Sequence, residues 1–310
     1  MLLIVDLHSV GQRLDNFLLK NVRNVPKSRI YRMIRNGEVR VNSGRVKASY
    51  KLERGENVRV PPLRGLQIKS KTDSLNARKV HSIMQTVKII ENTTDFLLVN
   101  KPAGLAVHGG MAANPGLLEI LRAFYKLPSL KLGHRLDKAT SGLIVVAKSR
   151  SFLLDFQRQL REGRVRKKYL AICRKVTKTN IIPNKIEKHL LRSHDQAGNR
   201  FVRVDSSGRY ALTKVNLIKC FNAPTFGSLY LFECDPITGR THQIRVHLQS
   251  IGFPILGDGR YDLTLSNEVL LRSSRMFLHS WKLSFLDSYN GERVSFESEI
   301  PDNFKISVPG

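Results

Sequence analysis

Acidic residues are scarce in this chain: 25 Asp and Glu stand against 52 Lys and Arg in 310 residues, a formal charge of +27. A positive field of that size favours polyanionic partners and opposes the compact state through self-repulsion. Cysteine is sparse as well. Cys173, Cys220 and Cys234 are odd in number, lack CxxC spacing and fall in apolar segments, which excludes a disulfide framework and points to no zinc site. Reduced, buried thiols in a cytoplasmic protein are expected. Long apolar runs are missing. Met1 to Val5 meets an acid at Asp6 without a basic segment before it, too short for a signal peptide, and nothing approaches the roughly 20 residues of a membrane span. Internal repeats and low-complexity segments are absent too. What remains, 41% apolar and 25% charged, is the composition of a globular protein with room for two domains. Nucleic acid is the economical partner for the charge. A membrane surface competes poorly, because the basic residues are spread through folded-looking segments and not gathered on one amphipathic helix or tail.

Residues 1–64 read as a small α/β unit. Leu14, Phe17 and Leu18 suit a helix starting near Gln12; Ile30, Tyr31, Met33 and Ile34 suit a second starting near Ser28 and stopping at Gly37. Short strands are expected at Val39 and Val41, Val46 to Leu52, and Val58 to Val60. Residues 11–64 hold fourteen Lys or Arg against four acids, and Arg29, Arg32, Arg35 and Arg40 can share one basic helical face. Residues 65–85 are polar and Lys-rich and read as a linker. Residues 86–310 change character. Alternating strands at Val87 to Ile90, Phe96 to Asn100, Leu143 to Ala147 and Tyr169 to Cys173, with more after residue 213, outnumber helices at Leu117 to Phe124 and Phe152 to Leu160. The expected fold class is α+β: a domain on a mixed, mainly antiparallel sheet with flanking helices, preceded by the small α/β domain.

Four blocks of the larger domain carry chemistry-bearing residues. Gly133-His134-Arg135-Leu136-Asp137-Lys138-Ala139-Thr140-Ser141-Gly142 sets one carboxylate between a cation and a tight turn. On an extended segment Arg135 and Asp137 face the same way, which would hold the acid ionised; His134 reads as loop support. Arg166-Lys167-Lys168-Tyr169-Leu170-Ala171 is a basic strand bearing one aromatic, in a region (148–175) with ten Lys or Arg against two acids, which suits a phosphate track. In Thr238-Gly239-Arg240-Thr241-His242-Gln243-Ile244-Arg245-Val246-His247-Leu248, Thr241 can cap a helix whose apolar side is Ile244, Leu248 and Ile251. His242 and His247 lie five apart and face different directions, so no metal is expected there. Asn100 to Gly110 reads as a buttressing turn and lacks the spacing of a phosphate-binding loop. Ser193-His194-Asp195 are mere neighbours on a polar loop, not a triad.

In order, these blocks resemble those of the RluA-type pseudouridine synthases, whose signature HRLDxxTSG matches residues 134–142, and the segment from Gln12 to Asn42 resembles an S4 RNA-binding domain. The resemblance implies the pseudouridine synthase fold and the isomerisation of uridine in RNA to its C-glycoside. It implies Asp137 as the catalytic carboxylate, Tyr169 as the residue that stacks on the flipped base and a candidate base for the C5 proton, and Arg245 as the cation paired with Asp137. Ile244 would line the uracil pocket and Arg135 would fill the space the extruded base leaves. Arg29, Arg32, Arg35, Lys167 and Lys168 are expected to contact RNA. Val25-Pro26-Lys27-Ser28 and Val107-His108-Gly109-Gly110 place the chain nearest the branch that modifies 23S ribosomal RNA of the large subunit. A monomer without metal or cofactor is expected, because breaking the N1 bond, turning the base and joining C5 to the same sugar carbon needs only one carboxylate. That carboxylate has three roles open to it: attack on the sugar, attack on C6, or removal of a sugar proton. The competing readings are a sister enzyme acting on transfer RNA or other uridines, a non-catalytic ribosome-assembly factor on the same fold, and a generic polyanion binder.

Overall fold

Apolar residues at helical spacing bury one side of each of the first two helices, Leu14, Phe17 and Leu18 on α1 (Leu14–Asn21) and Ile30, Met33 and Ile34 on α2 (Lys27–Arg35). A computed structural model describes residues 2–23, 25–62, 67–68, 77–109, 115–178, 181–194, 200–224, 226–262 and 275–305; Gly110, Asp195 and much of 63–76 lie outside them. The chain divides into two compact units, Met1–Ala77 and Arg78–Gly310.

In the first unit β1 (Leu2–Ile4), β4 (Asn57–Arg59) and β3 (Arg40–Val41) form an antiparallel sheet in that order, and β2 (Val22–Arg23) pairs with β5 (Gln67–Ile68). The core under α1 and α2 is completed by Val39, Val41, Leu52, Val58 and Val60. The strand expected at Val46 to Leu52 does not form. Its carbonyls instead accept from the open N-terminus of α1, Leu14 N to Tyr50 O at 2.8 Å and Asp15 N to Ala48 O at 3.1 Å, serving donors that a helix start leaves unpaired. A second correction concerns the stretch read as a linker. Its end is helix α3 (Ala77–Met84), anchored by Val80 and Met84, which are one turn apart and buried.

The second unit is built on one large sheet. Its strands are β6 (Lys88–Asn92), β7 (Phe96–Lys101), β8 (Lys131–Leu132), β9 (Ser141–Ala147), β10 (Arg166–Arg174), β11 (Lys185–His194), β12 (Arg200–Val204), β13 (Arg209–Ala223), β14 (Gly227–Pro236), β15 (Leu278–Leu286) and β16 (Arg293–Glu297). The order is β12-β11-β13-β14-β10-β15-β9-β7-β6, with β16 on β15 and β8 on β9. Only the β15–β9 pair is parallel among the described residues, so the sheet is mixed and mainly antiparallel. Helices α4 (Leu117–Phe124), α5 (Arg150–Arg161) and α6 (Gln243–Ser250) complete the unit.

Side chains alternate across a strand, and that alternation separates a structural face from a reactive one. Phe96 and Leu98 of β7, Leu143 and Val145 of β9, and Leu283 and Phe285 of β15 pack against Phe152 and Phe156 of α5, with Phe96 stacked on Phe152 at 4.9 Å and edge-on to Phe285 at 5.5 Å. The opposite face carries one continuous row. Lys101 pairs with Gly142, Gly142 with Ser280, and Ser280 with Tyr169. At its centre only glycine fits: Gly142 has φ +107°, and a Cβ there would meet the Ser280 carbonyl oxygen at 2.2 Å and its nitrogen at 2.6 Å. Gly142→Ala is therefore expected to destabilise the unit by about 3 kcal/mol, read as a fall of roughly 6–12 °C in Tm. An unchanged melting curve would contradict the close approach of β9 and β15.

Candidate active site

Asp137 lies on the connection from β8 to β9, where its own carbonyl accepts the Thr140 N–H at 3.1 Å in a tight turn. The loop is held from below by Lys101, whose side chain is fully buried. Its ammonium donates to the carbonyls of Pro102 at 2.8 Å, Leu105 at 2.8 Å and Lys138 at 3.1 Å. The Lys138 carbonyl also accepts from Gly104 N at 2.9 Å. Residues 101–105 of the Asn100 to Gly110 block thus buttress the residue next to Asp137, as the turn residues of that block suggest. Burial pushes the Lys101 amine down to about 7, with the positive charge of Arg275 adding to the shift and Asp137 opposing it. His134 supports the loop from within: its Nε2 accepts the Val145 N–H at 3.2 Å. Burial, joined by the charge of Lys167, holds its pKa near 3, so the ring is neutral.

Helix α6 brings Arg245 to the carboxylate across 108 positions of sequence, Nη1 donating to Asp137 Oδ2 at 2.9 Å. The helix start is fixed by Gln243, a buried amide with every hydrogen-bonding group in use. Its Nε2 donates to Leu212 O and Thr213 Oγ1 at 2.9 Å each, and its Oε1 accepts from Thr238 Oγ1 at 2.7 Å and Arg240 N at 2.9 Å. Thr241 does not cap this helix. Its hydroxyl accepts from Arg192 at 2.7 Å, and the cap position belongs to His242 in the left-handed conformation, φ 53° and ψ 20°.

The other side of the Arg245 guanidinium is occupied by a residue not anticipated from sequence. Asp258 accepts from Nε at 2.7 Å and Nη2 at 2.8 Å, a bidentate pair whose two side chains are almost wholly buried. Burial alone would weaken the Arg245 charge, but the hydrogen bonds and charge of Asp258, then those of Asp137, outweigh it and raise its pKa above the ordinary value. The guanidinium is further covered by the Tyr261 ring, 4.8 Å from its centroid. Arg245 is therefore a cation fixed by one carboxylate and presented to another. Both the Arg245 donor and the nearest imidazole nitrogen, His242 Nε2 at 3.7 Å, stand at Oδ2 of Asp137. Oδ1 makes no hydrogen bond among the described residues.

The remaining expected site residues are brought together unequally. Tyr169 is buried on β10 beside Ser280; burial pushes its phenol up to about 12, Ser280 moderates this, and the Asp137 charge adds to it. It is a neutral phenol at physiological pH. Ile244 is buried on α6 next to Arg245. Arg135 is exposed and does not pair with Asp137; the cation that does is Arg245. Lys168 is bound to Glu233 at 2.7 Å, and Lys167 is half-buried, its pKa lowered by burial against the attraction of Asp235. His247, the second histidine of the block, is turned inward to Thr213 Oγ1 at 2.9 Å. No group of three or more His, Cys, Asp or Glu able to hold a metal occurs among the described residues, and none of their helices is long and apolar enough to cross a membrane. Cys173 and Cys234 are buried, but Cys220 is exposed, a correction to the expectation of three core thiols.

On the N-terminal unit an open groove of about 780 Å³ is lined by Tyr31, Arg32, Arg35, Arg45 and Lys47 with Ser28 and Ala48. Arg29 lies on the same helix but is paired with Glu38 at 2.8 Å. Tyr31 is tied down by donating to Asp15 at 3.1 Å, which Arg13 also holds.

A family model described as RNA pseudouridylate synthase matches residues 95–250, and a model of the S4 domain matches residues 12–58. The chain is 39% identical over 298 residues to the ribosomal large subunit pseudouridine synthase C of Haemophilus influenzae, covering 95% of this chain and 90% of that one. It is 40% identical over 300 residues to the protein of the same name from Escherichia coli O157:H7, covering 95% and 91%. Among solved structures, human RNA pseudouridylate synthase domain containing 1 aligns with a TM-score of 0.57 at 26% identity over 69% of this chain and 84% of that one. Human RNA pseudouridylate synthase domain containing 4 aligns with a TM-score of 0.55 at 27% identity over 74% and 94%.

Proposed function

Because this chain belongs to the RNA pseudouridylate synthase family, and so isomerises uridine in RNA to pseudouridine, we propose that Asp137 is its catalytic carboxylate and that its substrate is the 23S ribosomal RNA of the large subunit. The observation that carries the assignment is the state of that carboxylate. One oxygen is engaged by a guanidinium that is itself clamped by Asp258, and the other makes no hydrogen bond among the described residues. A carboxylate so held has one oxygen fixed by a charge-assisted hydrogen bond and can act on the sugar or base of a uridine brought against it.

The sugar and C5 are out of reach inside a stacked helix, so the target nucleotide must be extruded, at a cost of a few kcal/mol. Tyr169 stacks on the extruded uracil. As a neutral phenol it is suited to that role first, since service as a base for the C5 proton requires it to lose its own proton. Ile244 forms the apolar wall of the pocket. Arg135, exposed on the catalytic loop and free of the carboxylate, takes the place of the base in the stack. The S4-type unit contributes Arg32 and Arg35, with Arg45 and Lys47 beside them, as a phosphate track; Arg29 steadies that helix through Glu38. Lys167 and Lys168 supply positive potential near the pocket more than direct contacts, since Lys168 is held by Glu233. The chain acts as a monomer. The names of the relatives support large-subunit ribosomal RNA as the substrate, and the S4-type module is in keeping with it.

Tritium released from RNA labelled at uridine C5 tests both parts. Release from large-subunit ribosomal RNA is expected to exceed that from transfer RNA or small-subunit ribosomal RNA. Equal rates on all three would overturn the substrate, and no release from any would overturn the reaction.

A further inference from the structure

His242 is the residue of the site with a geometry that the family match leaves unused. Its ring stands between the catalytic loop and Tyr261, with Nε2 3.7 Å from Asp137 Oδ2 and Nδ1 2.7 Å from the Tyr261 hydroxyl. The hydrogen bonds around that hydroxyl point to where the imidazole proton sits. The Val202 backbone N–H, on the edge strand β12, donates to the Tyr261 oxygen at 3.0 Å. The phenol proton then has one acceptor among the described residues, His242 Nδ1. A neutral imidazole that accepts at Nδ1 carries its proton at Nε2. That assignment rests on satisfying every polar group of a buried network. Burial lowers the pKa of His242, and Asp137 opposes that shift while Arg245 and Arg260 reinforce it, so the neutral form is the resident one.

The consequence falls on the carboxylate. Arg245 Nη1 already donates to Oδ2, and His242 Nε2 lies 3.7 Å from the same oxygen. At 3.7 Å the contact is longer than a hydrogen bond, as catalytic contacts often are before substrate closes on them. His242 holds the left-handed conformation at the start of α6, φ 53°, a rare choice for a residue with a Cβ.

We propose that His242 is a positioning residue for the isomerisation: with its tautomer fixed by Tyr261, its Nε2–H closes on Asp137 Oδ2 in the substrate complex and, with Arg245, leaves Oδ1 as the sole reacting oxygen. The inference rests on the reading of Asp137 as the catalytic carboxylate. It differs from a metal-ligand role and from a direct proton transfer, because the imidazole touches neither the base nor the sugar.

Two variants and one spectrum test it. The side-chain amide of His242→Gln can place an N–H donor where Nε2–H stands, whereas His242→Leu cannot. His242→Leu is expected to lower kcat about 100-fold with KM within about threefold of the intact enzyme. His242→Gln is expected to recover all but about fivefold of kcat, on variants matched for Tm. Nitrogen NMR of the intact enzyme with labelled histidine is expected to show His242 as the neutral Nε2–H tautomer, and Tyr261→Phe to erase that preference. A Leu variant with native kcat, a Gln variant no better than Leu, or a resident Nδ1–H tautomer each overturns the proposal. Asp137→Asn assayed alongside separates the two readings. An active Asn variant removes the catalytic carboxylate and this proposal together; an inactive Asn variant beside an unimpaired Leu variant removes this proposal alone.

Discussion

Asp137→Asn is expected to bind RNA as the intact enzyme does while turning over more slowly by about 10⁴-fold or more, a loss of at least roughly 5.4 kcal/mol of transition-state stabilisation. The substitution keeps the size of the side chain, removes the charge and turns one acceptor oxygen into an NH2 donor. Affinity should survive because no phosphate contact passes through this carboxylate, and RNA affinity is dominated by cations on the phosphates. The fold should survive as well. Arg245 keeps its bidentate partner Asp258, and Asp137 itself is partly exposed, with 28% of its side chain accessible. The loss of one charge-assisted hydrogen bond there costs about 1–2 kcal/mol. Titration of labelled RNA gives the affinity, single-turnover kinetics the rate, and a melting curve the stability. An Asn variant retaining a tenth of the native rate would sink the assignment of Asp137.

Arg245→Leu is expected to injure stability and activity together. Asp258 has 1% of its side chain exposed, and without the guanidinium it keeps, among the described residues, the Arg260 and Tyr261 backbone N–H groups at 3.2 and 3.3 Å. A buried carboxylate stripped of its cation costs about 3–5 kcal/mol, which in a unit of this size lowers Tm by roughly 6–20 °C. Lysine is no substitute. A single ammonium cannot span two carboxylates on opposite sides of a planar donor set, so Arg245→Lys should recover part of the stability and little of the rate. The double variant Arg245→Leu/Asp258→Leu separates the two effects: removing the orphaned acid should restore most of the lost Tm and none of the rate. Restoration of the rate by the double variant would show that Arg245 serves the fold and not the carboxylate.

What the sequence reveals about this site follows from how locally each residue's role is encoded. Asp137, Tyr169 and Arg245 each sit in a short block whose residue order is distinctive, so they are legible although Arg245 lies 108 positions from Asp137. Asp258 belongs to no such block. Its signal is a lone acid in Gly257-Asp258-Gly259 directly after the apolar run Phe253 to Leu256, which says that the acid needs a partner but not which one. His242 is not marked by its spacing, because five residues from His247 is out of phase on any regular helix, and its left-handed φ is a rare choice for a residue with a Cβ. Alternation fails elsewhere for equally local reasons. The register of β13 shifts between Leu217 and Lys219, and Cys220 beyond it faces outward. Val46 to Leu52 alternates like a strand, yet its carbonyls are worth more as acceptors for the start of α1 than as half of a ladder. The polar stretch before the catalytic unit hides α3 because only Val80 and Met84 need burying to hold it. The α+β class and the mixed sheet, by contrast, are carried by many alternating segments at once, and no single irregularity alters them.

The central claim is that one carboxylate, Asp137, performs the isomerisation. Its most direct test is chemical mapping of pseudouridine in large-subunit ribosomal RNA from cells that lack this gene and are complemented either by the intact chain or by Asp137→Asn at equal protein levels. The intact chain is predicted to restore modified positions that the Asn variant leaves as uridine; restoration of the same positions by both would contradict it.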